Sequence, residues 1–310
     1  MAPARPSVSV IVPHYDALDD LQRCLAALEQ QTYPREKTEI VVADNKSPCG
    51  LKAVQSVVGD RAKVVEVSTR GAAAARNGAI AVATGELLAF TDSDCIPHRY
   101  WLERGLGALD LYDLVGGRVE VSAADEANIS STEAFEKVFA FDNRSYIMTK
   151  HFSVTANLFC RRDHFDVVGP FHADVSEDRD WCLRAREAGL RIGYAADAIV
   201  VHPGRRNWQE LRSKLVRLNR ETHAWYAKTD FGRARWLLRS MLLPASAMAH
   251  TPKVLFTRRL STAGERFAAL RILYRSRLWR FSNALAITMA PAPRQAKKPA
   301  GRVQGKGSGR

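Results

Sequence analysis

The sequence predicts an α/β fold: a mostly parallel sheet with helices on both faces, followed by a basic helical region. Three observations carry this. Between residues 7 and 121, short Val-, Ile- and Leu-rich runs alternate with helical patterns, the order of a parallel sheet covered on both sides. Several runs end abruptly in acids or turn residues, as strands do at the ligand-binding edge of an open sheet. Past residue 203 the texture changes. Residues 204–310 carry 24 Lys+Arg against 4 Asp+Glu, a net +20, which leaves −7 on residues 1–203.

The runs 7–12, 39–43, 63–67, 86–91 and 113–121 are expected strands, and 18–30, 51–58 and 72–83 expected helices. Leu18, Leu21, Leu25 and Leu28 fall at helical spacing. Further on, 130–143 reads as a helix, 153–162 as a strand and 176–188 as a helix. Glu177, Asp178 and Asp180 in its first turn suit the positive helix end, and Gly189 supplies its stop. Residues 191–196 and 198–202 are short extended segments closed by Pro203-Gly204.

The domain organisation follows: residues 1–203 form one α/β domain, 204–293 a basic helical region and 294–310 a disordered Gly-, Lys- and Arg-rich tail. The uncharged windows 240–252 and 281–293 are shorter than the roughly 20 residues of a spanning helix. Phe267, Leu270, Tyr274, Leu278 and Phe281 share a helical face beside Arg271 and Arg275, though Arg266 and Arg277 intrude on it. That face suits either an anionic membrane surface or packing against the first domain or a sister subunit.

Composition is ordinary for a globular protein, with 46% hydrophobic and 25% charged residues among 310. The five cysteines form no Cys-x-x-Cys pair, which argues against a zinc site or disulfide framework and for a reducing compartment. The N-terminus lacks the apolar core of a signal peptide, so the expected location is cytoplasmic, with peripheral attachment at the inner face of the plasma membrane if the basic region binds lipid.

The chemistry concentrates at strand ends. Leu87-Leu88-Ala89-Phe90-Thr91-Asp92-Ser93-Asp94 is a buried run that meets two carboxylates spaced i, i+2. Such a pair can hold a hard cation that bridges phosphate oxygens; the alternative is a strand-end turn. Val10-Ile11-Val12-Pro13-His14-Tyr15-Asp16 and Val41-Val42-Ala43-Asp44-Asn45-Lys46-Ser47 end similarly, and Gly71-Ala72-Ala73-Ala74-Ala75-Arg76-Asn77 opens a helix. In one parallel sheet these ends share a rim, a regularity that favours the cation.

These motifs, with Thr155–Arg162, Ser176–Arg184 and the pair of segments 189–202, resemble those of family 2 glycosyltransferases of the Rossmann-like GT-A fold. Each motif is modest alone; in order over about residues 7–203 they are specific, and nothing beyond residue 204 is covered. The resemblance implies inverting transfer of a sugar from a nucleotide-diphosphate donor. It assigns Asp94 to a divalent cation, Mg²⁺ or Mn²⁺, with Asp92 sharing the metal or facing the ribose beside Ser93. His202 is a further ligand or phosphate contact, or simply a histidine ending a strand. Pro13, Tyr15, Asp16 and Asp44 fall at the nucleotide, and Arg76 near the diphosphate or on the surface. The general base implied is Asp178, with Glu177 and Asp180 as competitors; Glu177 and Asp178 point about 100° apart on a helix, so both cannot serve one hydroxyl. Trp181 packs against a sugar or fills the core.

Two departures stand out: Asp16 where the family often has Asn, and Asn45-Lys46-Ser47-Pro48-Cys49 where it has an acidic or Gly-rich turn. Both bear on the nucleotide, for which UDP is favoured. No Gln-x-x-Arg-Trp motif of processive synthases occurs. The expected acceptor is a lipid-linked or cell-surface glycan, in cell-envelope polysaccharide synthesis. A sugar-phosphate nucleotidyltransferase is a rival, but Pro13-His14-Tyr15-Asp16 is not a Gly-rich phosphate loop. A non-catalytic polyanion binder is another; nucleic acid is not expected, since aromatic single-strand platforms are lacking.

Overall fold

The apolar runs become strands. In the computed structural model, which describes residues 5–289 except Asp174 and Lys228, the chain runs β1 (Val8–His14), α1 (Leu18–Glu29), β2 (Thr38–Asp44), α2 (Leu51–Val58), β3 (Lys63–Glu66), α3 (Ala72–Val82), β4 (Leu87–Phe90), β5 (Ile96–Pro97), α4 (Trp101–Gly107), β6 (Leu114–Ser122), α5 (Ser131–Phe139), α6 (Asn143–Lys150), β7 (Leu158–Arg161), α7 (Arg162–Val168), α8 (Glu177–Glu187), β8 (Ile192–Pro203), α9 (Trp208–Ala227), α10 (Gly232–Met241), α11 (Leu243–Leu255) and α12 (Ala263–Met289). The tail 294–310 lies outside the described residues.

Among the described residues eight strands form one mixed sheet in the order β3-β2-β1-β4-β7-β6-β8-β5. β1, β2, β3 and β4 are mutually parallel; β7 runs antiparallel to both β4 and β6, and β6 is parallel to β8. The sheet is therefore mostly parallel, with one reversal at β7 and another at the short edge strand β5. Alternation places Val8, Val10 and Val12 of β1 in the core on one face and Ile11 in the core on the other. That double burial explains why the strands read as nearly continuous apolar runs.

Several elements differ from the sequence expectation. The 130–143 helix is shorter: Ser130 and Glu133 form a capping box at the start of α5, worth about 1 kcal/mol. The chain then turns at Phe141, which has positive φ, and Asp142 caps the separate helix α6. The expected strand 153–162 opens as a 3₁₀ turn, so only Leu158–Arg161 pair. The two extended segments after residue 190 are one strand, β8, with a register shift opposite Gly117 and Arg118. Asn157 repairs that irregularity. Its Nδ2 donates to the Arg118 and Ala198 carbonyls at 2.8 and 2.9 Å, and its Oδ1 accepts from Trp101 Nε1 at 2.9 Å.

The helical region packs on α5. Phe135 and Val138 of α5, Leu211 and Leu215 of α9, Val254 of α11, and Ala269, Ile272 and Leu273 of α12 form one core cluster. α12 buries Ala269, Ile272, Leu273, Ser276 and Ala284, not the larger apolar face expected from spacing. Of that face Phe267, Tyr274 and Leu278 remain exposed. The intruding Arg266 is accounted for, because its Nε and Nη2 donate to the Leu255 and Leu260 carbonyls. No described helix is long and apolar enough to cross a membrane.

Candidate active site

Because β1, β2, β4 and β8 point the same way, their C-terminal ends lie on one rim. That rim gathers Pro13, Tyr15 and Asp16 after β1, Asp44 at the end of β2, Asp92, Ser93 and Asp94 after β4, and His202 in β8. The reversed β7 brings the Asn157 turn to the same edge. The rim begins where hydrophobic pairing stops, since Val41, Val42 and Ala43 are fully buried and so is Asp44.

Asp94 and His202 meet there, with Asp94 Oδ2 at 3.4 Å from His202 Nε2. His202 Nδ1 is 2.7 Å from the Pro203 carbonyl. A carbonyl only accepts, so Nδ1 carries a proton and Nε2 is the ring nitrogen turned toward Asp94, the atom through which His202 would ligate a metal. Asp94 Oδ1 is buried without a hydrogen-bond partner among the described residues. Burial pushes the Asp94 carboxyl up, His202 opposes this, and Asp92 adds to the rise. Asp92 and Asp94 offer oxygens within 4.8 Å of one another and of the Cys95 thiol. An orphaned buried oxygen, a second carboxylate and an imidazole nitrogen fit a hard divalent cation. Cys95 is the soft member of the group: burial raises its thiol well above the ordinary value, and a hard cation prefers the carboxylate oxygens.

Arg76 ties the cation side to the acids of α8. Its buried guanidinium donates from Nη2 to Asp92 Oδ1 at 2.6 Å and from Nη1 to Glu177 Oε1 at 3.0 Å. Arg76 thus acts on the rim through two carboxylates. The partners sort the acids of α8. Glu177 is held by Arg76, and Asp180 by Arg184 and His172 at 2.9 and 3.1 Å. Asp178 has no cation within ion-pair distance among the described residues. It accepts from Ser176 Oγ at 3.0 Å and the Arg179 amide at 2.7 Å. Burial, then the charge of Glu177, raise its carboxyl above the usual value. Trp181 belongs to the core, fully buried, with Nε1 donating to the Gly169 carbonyl.

At the β1 and β2 ends, Asp44 is enclosed. His14 Nε2 accepts from the Ala17 amide at 3.2 Å, so Nδ1 carries the proton that faces Asp44 Oδ1 at 3.2 Å. Ser47 Oγ donates to Asp44 and accepts from the Asp16 amide at 2.9 Å. Asp44 therefore fixes the turn that presents Tyr15 and Asp16, both exposed. Asn45 staples the neighbouring loop: Nδ2 donates to the Val67 and Thr69 carbonyls, and Oδ1 accepts from Gly71, whose positive φ opens α3.

A cavity of about 750 Å³ opens beside Asp94 and His202, its wall including Arg205, Arg206, Lys214 and Arg217. In the sequence these cations are visible only as part of the bulk charge of residues 204–310. The signal available was position, since they follow immediately on the strand that delivers His202. Glu221 of α9 was missed too; burial raises its carboxyl against Arg217, and the charges of Glu177 and Asp178 raise it further.

The mixed sheet, with carboxylates and a histidine gathered at one rim, is of the GT-A type, and relatives agree. Residues 9–169 match the model of Glycosyl transferase family 2. The chain is 35% identical over 252 residues to glycosyltransferase AglE of Haloferax volcanii, covering 77% of this chain and 82% of the relative. It is 29% identical over 220 residues to the pre-mycofactocin glycosyltransferase of Mycobacterium tuberculosis, covering 66% of this chain and 45% of that protein. The fold is similar, with a TM-score of 0.53 at 22% identity, to the mannosyltransferase PcManGT from Pyrobaculum calidifontis solved with GDP-Man and Mn²⁺, over 92% of this chain and 74% of that one. The protein belongs to glycosyltransferase family 2 and is a glycosyltransferase.

Proposed function

We propose that this glycosyltransferase moves a sugar, with inversion, from a nucleotide-diphosphate donor to a hydroxyl of a lipid-linked or cell-surface glycan. The observation that carries this reading is the Arg76 bridge, which sets the carboxylate of Asp92 and the acid pair Glu177-Asp178 one guanidinium apart. Donor and acceptor ends of a single displacement need that proximity. Asp178 takes the acceptor proton as the new bond to the anomeric carbon forms, and the bond to the diphosphate breaks with its electron pair leaving on phosphate. A carboxyl raised by burial is better matched to this task than an ordinary one. Glu177, fixed by Arg76, positions the turn.

Asp94 and His202, with Asp92 beside them, would hold Mg²⁺ or Mn²⁺, which supplies Lewis-acid stabilisation of the leaving diphosphate. Support comes from the residues' fit and from the Mn²⁺ and GDP-Man of the PcManGT structure. Arg206 and Arg217 of the cavity wall face the same charge. Tyr15 and Asp16 receive the nucleoside, with Asp44 bracing them and Ser93 lining the rim; UDP is the favoured nucleotide.

Residues 1–203 are read as the catalytic domain and 204–293 as a helical region that also meets an anionic membrane surface, at the cytoplasmic face. Its support is the exposure of Phe231, Phe256 and Met289, each above 80%, among surface arginines. Sedimentation with phosphatidylglycerol vesicles, reduced in Phe256→Ser, tests that attachment; equal sedimentation removes it.

The central reading is tested by nucleotide-sugar hydrolysis. Slow release of nucleoside diphosphate, stimulated by Mn²⁺ and lost in Asp94→Ala, is expected. Release of pyrophosphate, or no turnover of any nucleotide sugar, counts against it.

A further inference from the structure

The helical region holds a second cavity, of about 450 Å³, away from the rim. Arg235 and Arg239 of α10, His250 of α11 and Arg277 of α12 line it, with Leu238 and Leu242 as apolar wall. Among the described residues the side chains of Arg235, Arg239 and Arg277 make neither an ion pair nor a hydrogen bond, Arg239 lying over the Tyr226 ring at 5.9 Å, and no carboxylate lines the cavity. The Nε of Arg277 is buried without a partner. Arg235 and Arg239 are exposed and Arg277 is half-buried, and the three converge on one apolar-walled space. Converging like charges without a counter-charge are destabilising unless an anion completes them.

We propose that this cavity is a binding site for a phosphoryl group, with an attached apolar chain lying along Leu238 and Leu242. Guanidinium groups match phosphate oxygens in charge and in fork geometry. His250 contributes in the same sense. Its Nδ1 donates to the Ser246 carbonyl at 2.6 Å, which leaves Nε2 as the ring nitrogen not used within the helix. The basic field is strong enough to act on its neighbours. Arg277 is lowered by burial and then by Arg239, and Arg280 is pushed down to about 10 by burial, then Arg277 and Arg239. A bound phosphoryl group would offset the repulsion between Arg239 and Arg277.

The field also points toward the proposed acceptor side. The Lys150 ammonium is lowered by burial, then by Arg179 and Arg239, and Arg179 directly follows Asp178 and lies over the Trp225 ring at 4.8 Å. A phosphorylated amphiphile held by Arg239 and Arg277 would therefore be the acceptor or its carrier. That use rests on reading Asp178 as the base; the anion site itself does not.

The test is calorimetry on the full chain with octyl phosphate below its micellar concentration, octanol and inorganic phosphate, without donor. Octyl phosphate should bind at least roughly tenfold tighter than octanol, and Arg239→Gln, a surface change that leaves the fold intact, should remove the difference, as should Arg277→Gln. Inorganic phosphate binding as tightly as octyl phosphate, with the same arginine dependence, assigns the site to free phosphate; much weaker binding assigns it to the amphiphile. Equal binding of octyl phosphate and octanol, or binding indifferent to Arg239→Gln, overturns the proposal. Because no turnover is read, Asp178→Asn should bind octyl phosphate normally, so failure here and failure of the base assignment are separate results.

Discussion

Arg205 grips Glu136 through three hydrogen bonds: its amide and Nη1 both reach Oε2, at 2.8 and 3.2 Å, and Nη1 also reaches Oε1 at 3.0 Å. Lys214 Nζ adds a second cation on Oε1 at 3.0 Å. The carboxylate is 2% exposed and sits on α5, under the helical region. The loop that follows His202 is thereby anchored to the sheet domain.

Removing that anchor strands two cations over a buried hole. Glu136→Ala should cost about 3–5 kcal/mol of stability, the range for breaking a buried pair, read as a shift in urea midpoint. A loss under about 1 kcal/mol would show the contact to be incidental. The pH dependence has a definite sign. Burial alone would push the Glu136 carboxyl up, but Lys214 and Arg205 outweigh it and hold it below the ordinary value. Its stabilisation is present above the unfolded carboxyl's pKa, about 4.3, and disappears as pH falls through the lower folded value. Wild-type and Glu136→Ala unfolding curves should approach each other in strong acid.

Asp178→Asn should retain nucleotide-sugar binding by calorimetry and lose transfer by on the order of 10²–10⁴. Near-normal transfer excludes Asp178 as the base and returns the role to Glu177 or Asp180.

The raised carboxyl of Asp178 makes two further statements. Its ionised form is the active one, so kcat/KM should climb with pH through a limb displaced above the ordinary Asp value. Ionisation is also disfavoured by folding, so Asp178 costs stability as pH rises through its unfolded and folded pKa values. Asp178→Asn should melt higher than wild type at pH 8, with the gap closing toward pH 3. A gap independent of pH contradicts the raised carboxyl.

Arg76→Met leaves Asp92 and Glu177 facing each other without their cation. Both carboxylates still reach water, at 30% and 27% exposure, so the loss should be on the order of 2 kcal/mol, below that of a fully enclosed pair. Transfer should fall while nucleotide binding weakens less. Unchanged transfer would show that the bridge is not part of the site.

The sheet and most of the rim are legible in the sequence because the switch from apolar run to acid is local, as at Phe90-Thr91-Asp92. The partners of Arg76 are not, since Glu177 lies 101 residues away and helix–strand docking alone brings it near. α12 is misread for a different reason. Its buried stripe sets Ile272 and Leu273 among the small Ala269, Ser276 and Ala284, which allow close helix approach, while bulkier Phe267 and Leu278 face outward. Hydrophobic spacing weights size and so selects the wrong side. Asp44 shows a third limit: its place at a strand end is readable, but its enclosure by His14 and Ser47 depends on neighbouring strands.

Arg76 also sets a length. Its guanidinium is planar and keeps its charge across the accessible pH range, and its own burial with hydrogen bonds to Asp92 and Glu177 fixes where its two amino groups lie. The separation between the acid after β4 and the acid opening α8 is then the span of one side-chain fork. The chain carries an internal gauge, and any change of donor or acceptor must be accommodated around it by the loops at the mouth.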